Sequence, residues 1–405
     1  MENLGKTALA DKLNAKRNRV NLRYDLYDMK HIQHDPSPTI PPNLKEAYKS
    51  VLGWCGHAVD AIADRLVFEN FTNDLYGFND IFKQNNPDIF TDSLFLGALI
   101  TSCDFVYISP DADGFPRLQV IDGGNATGRI NPVTGLLYEG YAVIKRDEKG
   151  QAIEEAYFDE NATYYYKQGK KEPETYSHNL GVAMLVPVIY KPDAKRPFGH
   201  SVISRSCMSL QAKACQTLTR TDITAEFYAF PQKYILGTDP DAERLDTWRA
   251  SMSTLLEFTK DEDGDHPTIG QFASASMTPH VEQFKMIASA FAGETGLTLD
   301  DLGFPSDNPS SYEAIKASHV TLGLKASRAQ RCFGSGLKNV GFVAACLRDG
   351  EAYKRSVLAD VDINWYPIFG ADVNTLSGVG DAIGKLATAL PDYITEEKVH
   401  KLTGI

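Results

Sequence analysis

One helical register runs through "SSYEAIKASHVTLGLKASRAQRCFGSGLKNVGFVAACLRDG", Ser310 to Gly350. Ile315, Leu322, Ala329, Phe333, Gly336, Val340, Val343 and Leu347 keep to one face over almost forty residues. At about 1.5 Å per residue such a helix would reach roughly 55 Å, well beyond the ~30 Å width of a small domain. The fold must therefore be laid along a rod rather than gathered around a point. Gly323, Gly334, Gly336 and Gly341 lie within it, each costing about 1 kcal/mol relative to alanine. They are expected to mark bends or to let another element come close.

A second rod reads from "SVISRSCMSLQAKACQTLTRTDITAEFYAF", Ser201 to Phe230, roughly 45 Å long if helical throughout. Its apolar stripe, Ile203, Cys207, Leu210, Ala214 and Leu218, is thin, while Arg205, Ser209, Lys213, Gln216 and Arg220 occupy another face. So narrow a stripe suggests packing against neighbours on several sides. A small insert follows. "QKYILG" reads as a strand, Asp239-Pro240 starts a helix over "DAERLDTWRASMSTLLEF", and "PTIGQF" returns as a strand. This β-α-β unit of about 50 residues is too small to be stable alone. The next helix, "PHVEQFKMIASAFAGETG", places Val281, Phe284, Ile287, Ala288 and Phe291 on one face and brings the chain back. Two antiparallel helices carrying a small module make an extended device.

Residues 1–92 read mainly helical. In "YKSVLGWCGHAVDAIADRL", Val51, Trp54, Ala58, Ile62 and Leu66 recur at steps of three and four, after which "VFENF" reads as a strand. From 93 to 195 the character is β. "DFVYISPDADGFPRLQVID", "GYAVIKRDEKGQAIEEAYFD", "ATYYYKQGKKEPETYSHNLG" and "AMLVPVIYKP" are runs of β-branched and aromatic residues, with hairpin chemistry at the tips "DADG", "DEKG" and "KQGK". A meandering antiparallel subdomain is expected. The chain closes with a strand, "VDINWYPI", a helix from Ser377 to about Leu390 and a last helical turn in "TEEKVHKL". The fold class is α+β.

With 405 residues, 43% of them hydrophobic, there is core material for two or three domains. No run approaches ~18 apolar residues, and "MENLGKTALADKLNAKRNRV" is charged and lacks an apolar leader segment, so a cytosolic chain without membrane anchor is expected. Cys55, Cys103, Cys207, Cys215, Cys332 and Cys346 lie far apart and read as small buried hydrophobes. The formal charge of -12 argues against a protein that grips nucleic acid, although not against one that lets it pass.

Chemical motifs are few. "GGNATGR" from Gly123 lacks the Lys and Ser/Thr of a phosphate loop and reads as a turn. "DEDGD", Asp261 to Asp265, has its glycine misplaced for a calcium loop, with Phe272 where the bidentate acid belongs. His57, Asp60 and Asp64 share a helix face and read as surface. "NAT" at Asn125 and Asn161 carries no consequence without a secretory signal. No catalytic residue, cofactor or metal is expected.

One loop is built with unusual care. In "GFPSDNPSSYEAIKAS", Pro305 and Pro309 stiffen the backbone, and Ser310 with Glu313 forms a capping box that starts the following helix.

Four features, in order, resemble the portal proteins of tailed bacteriophages, in particular the long-tailed phage portal family. They are "AVDAIADRLVFENF"; the strand and Arg-x-x-Gly-x-Ser lead of "IYKPDAKRPFGHSVISRS"; the helix, small insert, helix arrangement; and "GFPSDNPSSYEAIKAS" before a long helix with Lys and Arg. Together they span about residues 45 to 390.

The resemblance implies a wing over 1–200, with its β-rich part at 93–195, a stem helix at 201–230, and a clip at 231–278. It further implies a second stem helix at 279–300, a tunnel loop at 301–310, a long kinked helix and wing strand at 311–374, and a reduced crown at 375–405. The family forms homo-oligomeric rings, usually of about twelve subunits, at one capsid vertex. Double-stranded DNA passes through, the terminase large subunit docks and is later replaced by a head–tail adaptor and tail proteins, and the major capsid and scaffold proteins surround the ring. On this reading the chain belongs to the virion, after assembly in the host cytoplasm, and is not an enzyme. Phe304, Pro305, Ser306, Asp307, Asn308 and Pro309 would face DNA, and Lys316, Lys325, Arg328 and Arg331 would line the channel or pair with the next subunit. A negative bore would repel phosphate and keep the duplex sliding. The alternatives are a soluble cytosolic enzyme with a β-sheet domain and a helical cap, or another ring-forming virion adaptor.

Overall fold

Cys103–Pro110 (β2) is buried along nearly its whole length, which requires cover on both faces of its sheet. It is the middle strand of a three-stranded antiparallel sheet between Pro116–Ile121 (β3) and Leu185–Ile189 (β9), with Phe105 opposite Ile121 on one side and Pro187 on the other. The computed structural model describes residues 4–32, 37, 40, 46–229, 233–236, 268–271, 276–305, 312–369, 373–389 and 399. They fall into two units, one of residues 1–31, 53–208 and 292–405, the other of 32–52 and 209–291.

In the first unit, α1 (Gly5–Tyr27), α2 (Trp54–Ala63), α3 (Phe78–Gln84) and α4 (Pro87–Thr101) precede the sheets, with β1 (Phe68–Thr72) between α2 and α3. Residues 93–101, expected to open the β region, are the second half of α4. Asn86 followed by Pro87 at the first helical position and Asp88 in the first turn starts this helix, and burial of Phe90, Leu94, Phe95, Ala98 and Leu99 holds it. The β region begins at Cys103. A five-stranded meander follows: β4 (Ala126–Ile130), β5 (Leu137–Arg146), β6 (Ala152–Phe158), β7 (Ala162–Lys167) and β8 (Glu174–Ser177), each pairing with the next. The turns "DADG", "DEKG" and "KQGK" fall between consecutive strands, with Gly114, Gly150 and Gly169 at positive φ.

Helix α1 lies on the meander. Leu9 and Leu13 pack with Tyr141, Val143 and Tyr157. The ammonium groups of Lys12 and Lys16 donate to the main-chain oxygens of Gly128 and Ala126, both at 2.7 Å. The helix is pinned at its start by Glu139, whose fully buried carboxylate accepts from the Leu4 and Gly5 N–H groups at 2.9 and 3.1 Å, from the Tyr157 hydroxyl at 3.0 Å, and pairs with Arg129 at 3.0 Å. Asp104 is another buried acid. Thr101 Oγ1 and the Gly123 N–H donate to it at 2.8 and 2.9 Å, and burial pushes its pKa up to about 8. At Gly97 a Cβ would stand 1.9 Å from Asp104 Oδ2, so only glycine admits this acid.

The long rod is present but interrupted. α7 (Tyr312–Ser318) and α8 (Val320–Asp349) meet at His319, and the four glycines sit inside unbroken α8. Three of them admit close neighbours. A Cβ would come within 2.8 Å of the Phe369 ring at Gly323, 3.1 Å of Val188 at Gly336 and 2.7 Å of the Phe78 ring at Gly341. Phe333 is fully buried and stacks on Phe95, centroids 5.0 Å apart and planes 6° from parallel. Ile315, assigned to the same apolar face, is 47% exposed because it belongs to α7. The strand "VDINWYPI" is β12 (Asp362–Trp365), paired antiparallel with β1 across Phe71 and Ile363.

The rod read from Ser201 begins four residues later, as α5 (Arg205–Ala229), because Ser204 Oγ accepts from the Cys207 N–H at 3.1 Å and caps it. The second unit holds most of α5, the antiparallel pair β10 (Lys233–Leu236) and β11 (Thr268–Gln271), and the greater part of α6 (Thr278–Thr295). Within it Thr219 Oγ1 donates to Ser50 Oγ at 3.3 Å, and Thr224 Oγ1 lies 3.2 Å from His280 Nε2. The helix expected between the two strands and "DEDGD" lie outside the described residues. The C-terminal helix is α9 (Val373–Ala389), starting four residues before Ser377; of the final turn only Val399 is described.

Candidate functional site

The loop singled out from the sequence is held at both ends. At its entry, α6 closes on Gly296, at φ +80°, whose N–H reaches the Ala292 oxygen at 2.8 Å. Thr298 and Asp301 then form a reciprocal cap. The Thr298 N–H and hydroxyl donate to Asp301 Oδ2 at 2.7 and 2.9 Å, and the Asp301 N–H lies 3.2 Å from Thr298 Oγ1. This shapes the 3-10 turn Asp300–Leu302, which Gly303 ends at φ +87°. Phe304 is half-buried, with its N–H on the Leu299 oxygen at 3.0 Å, and Pro305 is exposed. Ser306, Asp307, Asn308, Pro309 and Ser310 lie outside the described residues, as does the side chain of Glu313.

At its exit the chain passes through α7 to His319. The His319 Nε2 lies 3.1 and 3.2 Å from the two oxygens of Asp301, and its Nδ1 lies 2.9 Å from the Ile315 carbonyl oxygen. Entry and exit are thus tied by one side-chain pair. Burial alone would raise the Asp301 pKa, but the Thr298 N–H and hydroxyl and the His319 ring outweigh it and hold the carboxyl below its usual range.

The four basic residues read from the sequence take different positions. Lys325 donates its ammonium to the Glu294 main-chain oxygen at 2.7 Å, and burial lowers its pKa. Lys316 is half-buried, and Arg328 and Arg331 are exposed. Arg331 borders a groove of about 700 Å³ together with Leu324, Gln330, Lys338 and Trp365. The Asp301–His319 pair escaped the sequence reading. "TLDD" carries the Thr-x-x-Asp spacing of a cap, yet nothing in the sequence said that His319 returns to it.

Among the described residues no group of three or more His, Cys, Asp or Glu could hold a metal ion, and no helix is long and apolar enough to cross a membrane. His57 is exposed, and Asp60 accepts from the Tyr27 hydroxyl at 2.8 Å. All six cysteines are free thiols; five are buried and Cys332 is half-buried.

A family model described as "Phage portal protein, SPP1 Gp6-like" matches residues 7–382. Among curated relatives, the portal protein of Mycobacterium phage L5 is 26% identical over 337 residues, covering 76% of this chain and 67% of the relative. That of Mycobacterium phage D29 is 26% identical over 322 residues, covering 73% and 64%. The matches thus span about two thirds of those relatives' length. Among solved structures, a chain from the neck of an empty GTA particle aligns with TM-score 0.48 at 12% identity, covering 93% of this chain and 95% of that one. Another, from the virion of a native gene transfer agent particle, aligns with TM-score 0.46 at 13% identity, covering 95% and 99%. With a family match that takes in nearly all of α1, all of α2 to α8 and most of α9, the chain belongs to the SPP1 Gp6-like family of phage portal proteins.

Proposed function

We propose that this chain assembles into the portal ring of a capsid vertex, conducts double-stranded DNA during packaging and ejection, and carries no chemistry of its own. The match to the portal family over residues 7–382 carries this reading. Apolar surface that the subunit leaves uncovered supports it: Val281 and Met286 on α6 and Tyr228 on α5 are 58%, 65% and 56% exposed. Contact with ring neighbours would bury them.

In this reading residues 1–200 and 311–374 form the wing with its long kinked helix. The stem takes 201–230 and 279–300, the clip 231–278, and the tunnel loop 301–310, while 375–405 is a reduced crown. The ring would receive the terminase large subunit, then the head–tail adaptor, among major capsid and scaffold proteins, first in the host cytoplasm and finally in the virion. The formal charge of -12 per subunit suits a bore that repels phosphate.

Size-exclusion chromatography with light scattering tests the assembly. A discrete ring of about a dozen chains is expected, and a monomer or dimer of the 44.7 kDa chain would refute it. The loop has its own test. Replacing Asp307 and Asn308 together with alanine is expected to leave ring size unchanged and to reduce DNA packaged or retained per particle. Wild-type DNA content in that variant would remove the loop from the mechanism.

A further inference from the structure

We propose that His319, bridging Asp301 and the Ile315 carbonyl, is the positioning residue that sets the angle at which α7 joins α8. The inference concerns the joint itself. It touches the function proposed above only in that, where the segment ahead of α7 lines the bore, this joint aims it.

The geometry of the ring carries the argument. Nδ1 faces a carbonyl oxygen at 2.9 Å, and Nε2 faces both oxygens of a carboxylate at 3.1 and 3.2 Å. The Ser318 hydroxyl lies 3.2 Å from Nδ1, so both ring nitrogens stand among polar partners, one on the acid of the capped turn and the other on the last turn of α7.

The surroundings leave this joint decisive. Ala314, Ile315, Ala317 and Ser318 on α7 are exposed, as are Val320 and Thr321, and burial begins only at Leu322. Among the described side chains of α7, Lys316 alone is even half-buried. The Ser318 hydroxyl donates to the same Ile315 oxygen at 2.7 Å, a local bond that bends helices, while the His319 N–H lies 3.2 Å away from it. Asp301 is held from the other side by the Thr298 N–H and hydroxyl. A continuous run of hydrogen bonds thus leads from the capped turn at Thr298 through Asp301 and His319 to the last turn of α7.

Amide hydrogen exchange on the full-length assembled protein, followed in peptides covering 298–305 and 312–322, tests the joint. His319→Phe keeps the bulk and removes both ring nitrogens; exchange over 312–319 is expected to rise about tenfold or more. His319→Arg, whose guanidinium can donate to both the carboxylate and the carbonyl, is expected to restore slow exchange. Asp301→Asn combined with His319→Phe should be no faster than His319→Phe alone, because the two residues act as one unit. Unchanged exchange in His319→Phe, or failure of His319→Arg to restore it, would overturn the proposal. DNA retention in the same variants bears on the bore reading alone: faster exchange with wild-type retention supports the joint and counts against the loop's role.

Discussion

Glu139→Ala is expected to lower the stability of the first unit by about 3–5 kcal/mol, the range for breaking a buried ion pair from one side. The carboxylate is fully buried, accepts from three donors, the Leu4 and Gly5 N–H groups and the Tyr157 hydroxyl, and forms an ion pair with the Arg129 guanidinium. Alanine strands the three donors and the guanidinium and leaves the start of α1 without its anchor on the sheet. Burial alone would raise the Glu139 pKa, but these donors outweigh it and hold the group below its usual value. An acid depressed in the folded state contributes stability that is complete above its unfolded pKa, about 4.3, and is lost as pH falls through the folded value. The wild-type advantage over Glu139→Ala, read from urea midpoints, is therefore expected to persist at neutral pH and to narrow below about pH 4. A neutral-pH difference under about 1 kcal/mol would show that water or neighbouring groups satisfy the donors without Glu139.

A loss of similar size, about 3–5 kcal/mol, is expected for Phe333→Ala. Phe333 is fully buried halfway along α8, stacked on Phe95 of α4, with Tyr190 at 6.1 Å. The helix has little freedom to close the resulting void. Val188 lies against Gly336 and the Phe78 ring against Gly341, so moving α8 inward would drive these contacts together. Phe333→Leu, which retains most of the volume, is expected to lose less than half as much. The double variant with Phe95→Ala should fall short of the sum of the two singles, because each removes the same stacked pair. Full additivity in urea unfolding would mean that the rings do not contribute as a pair.

Local chemistry was legible wherever a residue acts on its immediate neighbours. The glycines of "DADG", "DEKG" and "KQGK" turn where hairpin rules place them, and β1 and β12 were both recognised as strands from short aromatic or β-branched runs. The same rules failed where burial decides. Residues 93–101 are apolar enough for either a strand or a helix, and packing of α4 against Phe333 and the neighbouring strands made them helical. The register through Ser310 to Gly350 fixed which residues face the core from Leu322 onward, yet it ran straight past the break at His319. A periodicity records which face is apolar. It does not record that a side chain is drawn aside by an acid eighteen positions earlier.

The sequence alone determined most element types among the described residues, the helical rods, the hairpin turns and the portal resemblance, because these depend on spacing and on residues close along the chain. Only the tertiary structure decided that Gly323, Gly336 and Gly341 of α8 are points of close approach, that Glu139 anchors α1, and that His319 and Asp301 close the base of the loop. Each of those is a contact between segments distant in sequence, whose energy comes from burial and donor geometry that exist only once the chain has folded.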